Sequence, residues 1–286
     1  MKKTIVSLLA LIGIANFQPS SFSFQLSTAQ AQHLTLVHTS DTHSCIEPIS
    51  KYDINPEQAD KGGYIRRVSL IKELRQEHPD LLLLDCGDFS QGSVYYSLFQ
   101  GEVEVRLMNL MRYDACTIGN HEFDCGMENM ARLFRMARFP IVCANYDFTG
   151  TLCEGLVKPY VIKECGGRRV GIFGLCPRLE GLVSKVNCEG VVYHHPLEVA
   201  QKVVDELRNE QGCDFVVCLS HLGDGDDDER DPAVIRGTRG IDVVLGGHSH
   251  SYFEYTKYLP NADGREIPLD HQGKNARFVG VLDFEW

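Results

Sequence analysis

Several features are scarce or missing in this chain, and each absence excludes something. The apolar run at residues 5–15 falls short of the ~20 residues a membrane-spanning helix needs, so no bilayer-crossing segment is expected. No C-x-x-C pair occurs among the eleven cysteines, which argues against thiolate zinc sites. There is no internal repeat, low-complexity tract or convincing linker, which excludes a solenoid or a string of tethered modules. Positive charge is also short. Lys and Arg number 28 against 39 Asp and Glu, giving a net charge of -11. A surface that acidic argues against nucleic acid or an anionic membrane as the main partner.

What is present begins with a leader pattern. Met1-Lys2-Lys3 is followed by the short apolar run and an exit at Ala29-Gln30-Ala31. Charged start, apolar core and A-x-A exit read as a secretory signal peptide over residues 1–31. The protein is therefore expected to be exported, periplasmic or extracellular, without stable membrane insertion. No cysteine follows the apolar run closely enough to suggest a lipoprotein. Loss of Lys2 and Lys3 takes the net charge from -11 to -13. Residues 32–286 are long enough for one large α/β domain. Eleven cysteines is an odd count, so at least one stays free if the rest pair. Cys86, Cys143 and Cys218 sit in apolar or small-residue surroundings, where cysteine behaves as a small buried hydrophobe. Most are read as free core thiols, with some disulfides left open.

Apolar runs then alternate with helical patterns. Strands are expected at 34–39, 81–84, 115–118, 141–143, 214–219 and 241–245, with an edge strand at 278–286. Residues 159–164 and 168–175 read as a hairpin turned at Gly166-Gly167, which makes the sheet mixed. Helices are expected at 63–77, 95–112, 127–138 and 196–209. His194 and His195 are assigned to the cap or surface of the last of these, and Ala144-Asn145-Tyr146 to a closing loop. The run Gly223 to Asp231 has the flavour of a Ca²⁺ loop but lacks its spaced glycine and terminal Glu, so it reads as a solvated loop.

Five of these strands end in polar turns of one chemical kind. They deliver Asp41 and His43, then Asp88, then Asn120 and His121, then His221, then His248 and His250. One such turn arises easily by chance; five in one chain do not. Asp41 and His43, two apart on an extended chain, can share one cation. Gly87 allows a tight turn that presents Asp88 beside Asp41, and crowded carboxylates repel unless a cation lies between them. Asp88 is thus a candidate bridge between two metals, whereas Asp85 is assigned to tying down the loop. Imidazole mixed with carboxylate and one amide, without thiolate, suits Zn²⁺, Mn²⁺, Fe or Co²⁺ better than Mg²⁺ or Ca²⁺. Two such ions can clamp a phosphate and activate a water, so the constellation fits phosphoester hydrolysis. In so acidic a chain, the phosphate must be drawn in by local positive charge.

The order D-x-H, G-D, G-N-H-E-F-D, S-H and G-G-H-x-H resembles the calcineurin-like metallophosphoesterases, in the secreted 5′-nucleotidase and UDP-sugar hydrolase branch. The resemblance covers nearly all of residues 32–286. It implies a four-layer α/β/β/α sandwich with mixed sheets and a dimetal site at the strand carboxyl ends. By motif, Asp41, His43, Asp88 and His250 would hold the first metal. Asp88, Asn120, His221 and His248 would hold the second. Asn120 and His121 would face the substrate. His121 would stabilise the developing charge or protonate the leaving oxygen, with Asp124 orienting it. His250 departs from much of the nucleotidase branch, which has Gln or Asn there; this bears on metal preference. Full-length relatives add a second domain that grips the base, so a separate chain supplying that domain is a possible partner. The leading expectation is a metal-dependent phosphohydrolase acting on nucleotides or related esters. A less selective phosphomonoesterase or phosphodiesterase is the alternative among enzymes. A non-catalytic metal-binding partner subunit is the alternative outside them.

Overall fold

The Leu81–Leu84 run contains the layering in miniature. Leu83 packs with helical residues on one side, whereas Leu82 and Leu84 pack into a separate core on the other. A strand buried on both faces has to be covered twice. The computed structural model describes residues 33–286, and the expected leader at 1–31 lies outside them. The first half runs β1 (His33–Thr39), α1 (Tyr64–Glu77), β2 (Leu82–Asp85), α2 (Val94–Phe99) and α3 (Glu102–Met111). It continues through β3 (Ala115–Cys116), α4 (Gly126–Met136), β4 (Ile141–Val142), β5 (Tyr146–Asp147) and β6 (Val157–Lys158). The second half has β7 (Tyr160–Cys165), β8 (Arg168–Leu175), β9 (Val192–Tyr193), α5 (Pro196–Asp205) and β10 (Phe215–Ser220). It ends with α6 (Asp231–Gly237), β11 (Val243–Gly246), β12 (Lys257–Pro260), β13 (Glu266–His271) and β14 (Gly280–Glu285).

Two six-stranded sheets result, in the orders β14-β1-β2-β3-β4-β6 and β12-β13-β11-β10-β8-β7. Interior neighbours are parallel, while β14, β12 and β7 join antiparallel at edges, so both sheets are mixed. Between the sheets lie Leu34, Leu36, Leu82 and Leu84 from one, against Ile172, Val217, Leu219 and Leu245 from the other. Helices α1, α3 and α4 cover the outer face of the first sheet through Ile71, Met108 and Leu133. Helices α5 and α6 cover the second through Val203, Val204 and Ile235. The four layers are α/β/β/α, as expected, and the hairpin at Gly166-Gly167 is β7–β8.

Three local expectations are revised. The single helix expected at 95–112 is two, because Gln100 takes a left-handed φ of 51° and Gly101 one of 93°, which no continuous helix accommodates. The stretch after residue 250, unassigned before its last strand, contains β12 and β13. The acidic run is only partly a solvated loop. Asp226, Asp227 and Asp228 are exposed, but Asp231 is fully buried at the start of α6, accepting bonds from Ser220 Oγ and His271 Nε2. Desolvating that carboxylate is offset by both partners. All eleven cysteines are free and eight are buried, in line with core thiols.

The shared core between the sheets makes a direct prediction. Ile172 is fully buried there, so Ile172→Ala should lower stability by about 2–5 kcal/mol. The check is urea unfolding, with a lower midpoint at unchanged slope; an unmoved midpoint would show that the two sheets do not depend on that contact.

Candidate metal centre

Parallel strands in both sheets present their carboxyl ends to one edge, and the turns there are laced to one another. Asp41 N–H donates to Gly87 O at 2.9 Å, His43 N–H to Asp88 O at 3.0 Å and Ser44 N–H to Phe89 O at 3.0 Å. These bonds lock the turn after β1 against the turn after β2. Asp85, at the end of β2, accepts from Thr39 Oγ1 at 2.6 Å and from Gly87 N–H at 3.0 Å, so it ties the loop and is not aimed at a ligand. From the second sheet, the His248 N–H reaches both oxygens of Asp41, at 3.0 and 3.1 Å. Gly87 holds a φ of 89°, and Gly119 has no room for a side chain, since a Cβ would lie 2.1 Å from Asp88 Oδ1.

The turns bring together two groups of donors. Asp41, His43 and His250 offer atoms within 4.8 Å of one another, and so do Asp88, His221 and His248. Asp88 also groups with His43 and His121, so its carboxylate stands between the two sets. His221 Nε2 lies 3.0 Å from Asp88 Oδ2, and the Nε2 atoms of His43 and His250 are 2.9 Å apart. Asn120 is buried, with its Oδ1 lacking any partner in the protein.

The fit to cations rests on proton accounting. His221 Nδ1 is 2.6 Å from the Cys86 carbonyl, which can only accept, so the ring proton sits on Nδ1. The Nε2 lone pair of the neutral ring then points at the Asp88 carboxylate. Only a cation, or a second proton, makes that approach favourable. Without a metal ion the protein supplies the proton. Burial opposes the charge, but Asp88 holds His221 well above the usual imidazole range. Asp88 correspondingly falls below the usual carboxylate range, burial being outweighed by His221. Burial pushes Asp41 up to about 7, with the Asp88 charge adding to it. Burial also lowers His43 to about 4 and His248 to about 3, leaving both neutral at neutral pH, the form in which imidazole binds metal. The residues fit a pair of divalent ions.

Backbone geometry points the same way. Asp41, His43, Asp88, His248 and His250 all have positive φ, between 46° and 70°. Each left-handed non-glycine residue costs about 1–2 kcal/mol. Such strain persists only where surrounding bonds over-determine it, and it clusters at functional sites.

Glu122 is the residue that sequence reasoning left without a role. It is buried, and its carboxylate accepts three backbone N–H bonds, from Gly119 at 2.6 Å, Asp88 at 2.9 Å and Ser90 at 3.1 Å. It thereby stitches the turn after β2 to the turn after β3. Burial, with Asp88 nearby, pushes it up to about 7. The only signal in the sequence is its place inside the hexapeptide. Beside it, His121 Nδ1 donates to Asp124 Oδ2 at 2.8 Å, a bond that raises the imidazole above its ordinary range. The His121 backbone N–H donates to Asp88 Oδ1 at 2.9 Å. Asn145 does close a loop, bonding Cys176 N–H and O at 2.8 Å each.

With that geometry in view, the family follows. The calcineurin-like phosphoesterase pattern matches residues 34–252. The chain belongs to that family. Calcineurin-like phosphoesterases use a dinuclear metal site, and the two donor groups above are its counterparts in kind. The chain is 31% identical over 278 residues to 5′-nucleotidase of Rattus norvegicus, covering 91% of this chain and 47% of that protein. It is likewise 31% identical to the snake venom 5′-nucleotidase of Crotalus adamanteus, covering 92% and 47%. Among solved structures, a 5′-nucleotidase precursor from Thermus thermophilus superposes with a TM-score of 0.81 at 34% identity, over 88% of this chain and 51% of that one. A calcineurin-like phosphoesterase from Bacillus subtilis superposes at 0.73 and 27% identity, over 90% and 86%. The chain thus spans about half the length of the curated relatives it matches.

Glu122 yields a test. Glu122→Ala orphans three buried N–H groups, each worth about 1–3 kcal/mol. At about 2–4 °C per kcal/mol in a domain of this size, Tm should fall by at least about 6 °C, and metal retained after desalting should drop because the Asp88 turn loses its tie. Unchanged values of both would remove Glu122 from the support of the site.

Proposed function

We propose that residues 32–286 form the catalytic domain of a metal-dependent phosphohydrolase acting on phosphate esters of nucleotides. The observation carrying this reading is the His121–Asp124 pair, 2.8 Å apart, beside two donor groups that share Asp88. Metal storage or binding to a partner has no use for a partly exposed imidazole whose charged form is favoured by a hydrogen-bonded carboxylate. Transfer of charge to or from a bound phosphoryl group does. We assign Asp41, His43, Asp88 and His250 to one ion, and Asp88, Asn120, His221 and His248 to the other. Bound there, divalent transition ions would supply Lewis-acid activation of the phosphoryl group and of the attacking water. We take the ions to come from Zn, Mn, Fe and Co, with His250 bearing on the preference among them.

The chain's own groups supply the rest. Asp124 takes the Nδ1–H of His121 and leaves the ring's other nitrogen facing away from Asp124. A protonated Nε2 there donates to the developing charge on phosphorus or to the leaving oxygen. Asn120, one residue earlier, has an unpartnered Oδ1 in the same turn and so aligns with the ligand set. Support for nucleotides as the substrate class comes from relatives named 5′-nucleotidase, and from the NAD nucleotidase of Haemophilus influenzae, which superposes with a TM-score of 0.81 at 26% identity. Export to the periplasm or outside the cell is supported by the leader pattern of residues 1–31. Among the described residues, no helix is long and apolar enough to cross a membrane. Recognition of the base is assigned to a second domain, on this polypeptide or on a separate one.

Two substitutions separate binding from chemistry. Asp88→Asn should disturb both metals, because one carboxylate serves both. His121→Ala should keep near-normal metal content while kcat for phosphate release falls about 10²–10⁴-fold. Parallel loss of metal and activity in His121→Ala would make that residue structural and sink the catalytic assignment.

Substrate choice is tested with AMP and p-nitrophenyl phosphate. Binding energy from the remote part of a substrate positions its reacting part. With only the phosphate-gripping groups, residues 32–286 should discriminate little between the two, mainly through a high KM for AMP. A preference for AMP of several orders of magnitude in kcat/KM would put the base site within these residues.

A further inference from the structure

The first strand carries polar chemistry at both ends, and its beginning is as unusual as its end. Alternation along β1 sends Leu34 and Leu36 into the core between the sheets, while Val37 joins the core under α1. Thr35 and His33 share the Val37 face, two and four residues before it. Asp283 of the edge strand β14 is the direct cross-strand partner of Thr35. His78, the residue capping the C-terminus of α1, comes down over the same spot. The His33 and His78 rings lie nearly parallel, with centroids 5.9 Å apart. One ligating atom from each of His33, His78 and Asp283 falls within 4.8 Å of the others.

The buried Thr35 hydroxyl decides how these groups are protonated. It contacts three partners: Asp283 Oδ1 at 2.7 Å, His78 Nδ1 at 3.1 Å and His33 Nδ1 at 3.3 Å. A hydroxyl has one proton, and a carboxylate can only accept, so that proton goes to Asp283. Both imidazoles must then donate their Nδ1–H to the hydroxyl oxygen. Each neutral ring is left with its lone pair on Nε2. His33 Nε2 stands 3.4 Å from Asp283 Oδ1, a lone pair facing an anionic oxygen. A cation between them, or a second proton on His33, resolves that approach, as for His221 and Asp88. An oxygen that fixes the tautomer of a ligating imidazole from behind is the usual support of a metal site.

We propose that His33, His78 and Asp283 form a separate divalent transition-metal site, oriented by Thr35 and independent of the catalytic centre. Two imidazoles and one carboxylate select Zn²⁺ or a similar ion over Mg²⁺ and Ca²⁺, which favour all-oxygen shells. Three protein ligands leave a coordination position open to water. The site is remote from the strand-end turns. β1 rises about 3.3 Å per residue, so His33 lies roughly 20 Å from Thr39 at the catalytic end. Its ligands come from β1, from the turn between α1 and β2, and from the edge strand β14. A bound ion therefore cross-links three segments distant in sequence and pins an edge strand that is paired on one side only.

The test uses tag-free protein stripped with a chelator, reloaded with Zn²⁺ at pH 7.5 and desalted. Wild type should retain one equivalent per chain more than His78→Gln, with p-nitrophenyl phosphate hydrolysis equal in the two. Asp283→Asn, on the exposed edge, should lose the same equivalent and serves if His78→Gln does not fold. The Zn²⁺-dependent rise in Tm should shrink in both variants. Equal zinc content in all three proteins would overturn the proposal and leave His33–Asp283 as an ordinary surface ion pair. Because the readout is a difference between variants, it stands whether or not the catalytic centre itself proves active.

Discussion

Two carboxylates buried side by side are the constraint on which the rest of the structure depends. Asp41 and Asp88 are 0% and 1% exposed, and each raises the cost of ionising the other. A protein fold gains nothing by placing them there unless positive charge arrives between and beside them. His221 supplies part of it when protonated, and a pair of divalent ions would supply it fully. The strained backbone at five candidate ligands has the same logic. Strain and desolvation are tolerated because Glu122, Asp85 and the backbone bonds between turns leave these residues no other conformation.

That constraint dictates the architecture more than the reverse. The donors come from five turns, three following strands of the first sheet and two following strands of the second. Only parallel strands, packed face to face and ending at one edge, can bring so many chain segments to a volume a few ångströms across. The two sheets share one apolar core, and the backbone N–H of His248 in one reaches the carboxylate of Asp41 in the other. Separation of the sheets would therefore dismantle the site before it unfolded either sheet.

Much of this was legible in the sequence, for a physical reason. Buried parallel strands are apolar along their length, so the residue where polarity resumes marks the turn, and the candidate ligands sit there. That rule singles out Asp41, His43, Asp88, Asn120, His121, His221, His248 and His250 as candidates, and the structure brings these side chains to one edge. What stayed hidden acts through tertiary contacts that leave no period in the sequence. Glu122 is one residue of a recognised hexapeptide, yet its bonds to Asp88 and Ser90 cross from another turn. Asp231 ends a run of exposed acids and differs from them only in meeting Ser220 and His271 inside the fold. The break at Gln100-Gly101 falls inside a pattern whose apolar spacing suits one helix. The cluster at His33 escaped notice because its members come from both ends of the chain and from a helix cap.

The charge distribution adds a last consequence. A chain with net charge -11 repels phosphate esters at long range, so the approach of substrate gains nothing from the overall field. Attraction has to be local, and the structure places it at the rim. Lys274 acts on His250 and Arg230 on His248, each lowering the neighbouring imidazole through its own positive charge after burial has done so. His121 adds a third positive group when protonated. These charges are near enough to act on individual candidate ligands, and such short-range interactions are screened less by salt than the long-range field of the whole chain. An arriving anion thus meets repulsion that added salt weakens and attraction that salt barely touches. Moderate ionic strength should therefore leave capture intact or favour it, the reverse of an enzyme that steers its substrate with a broad cationic surface.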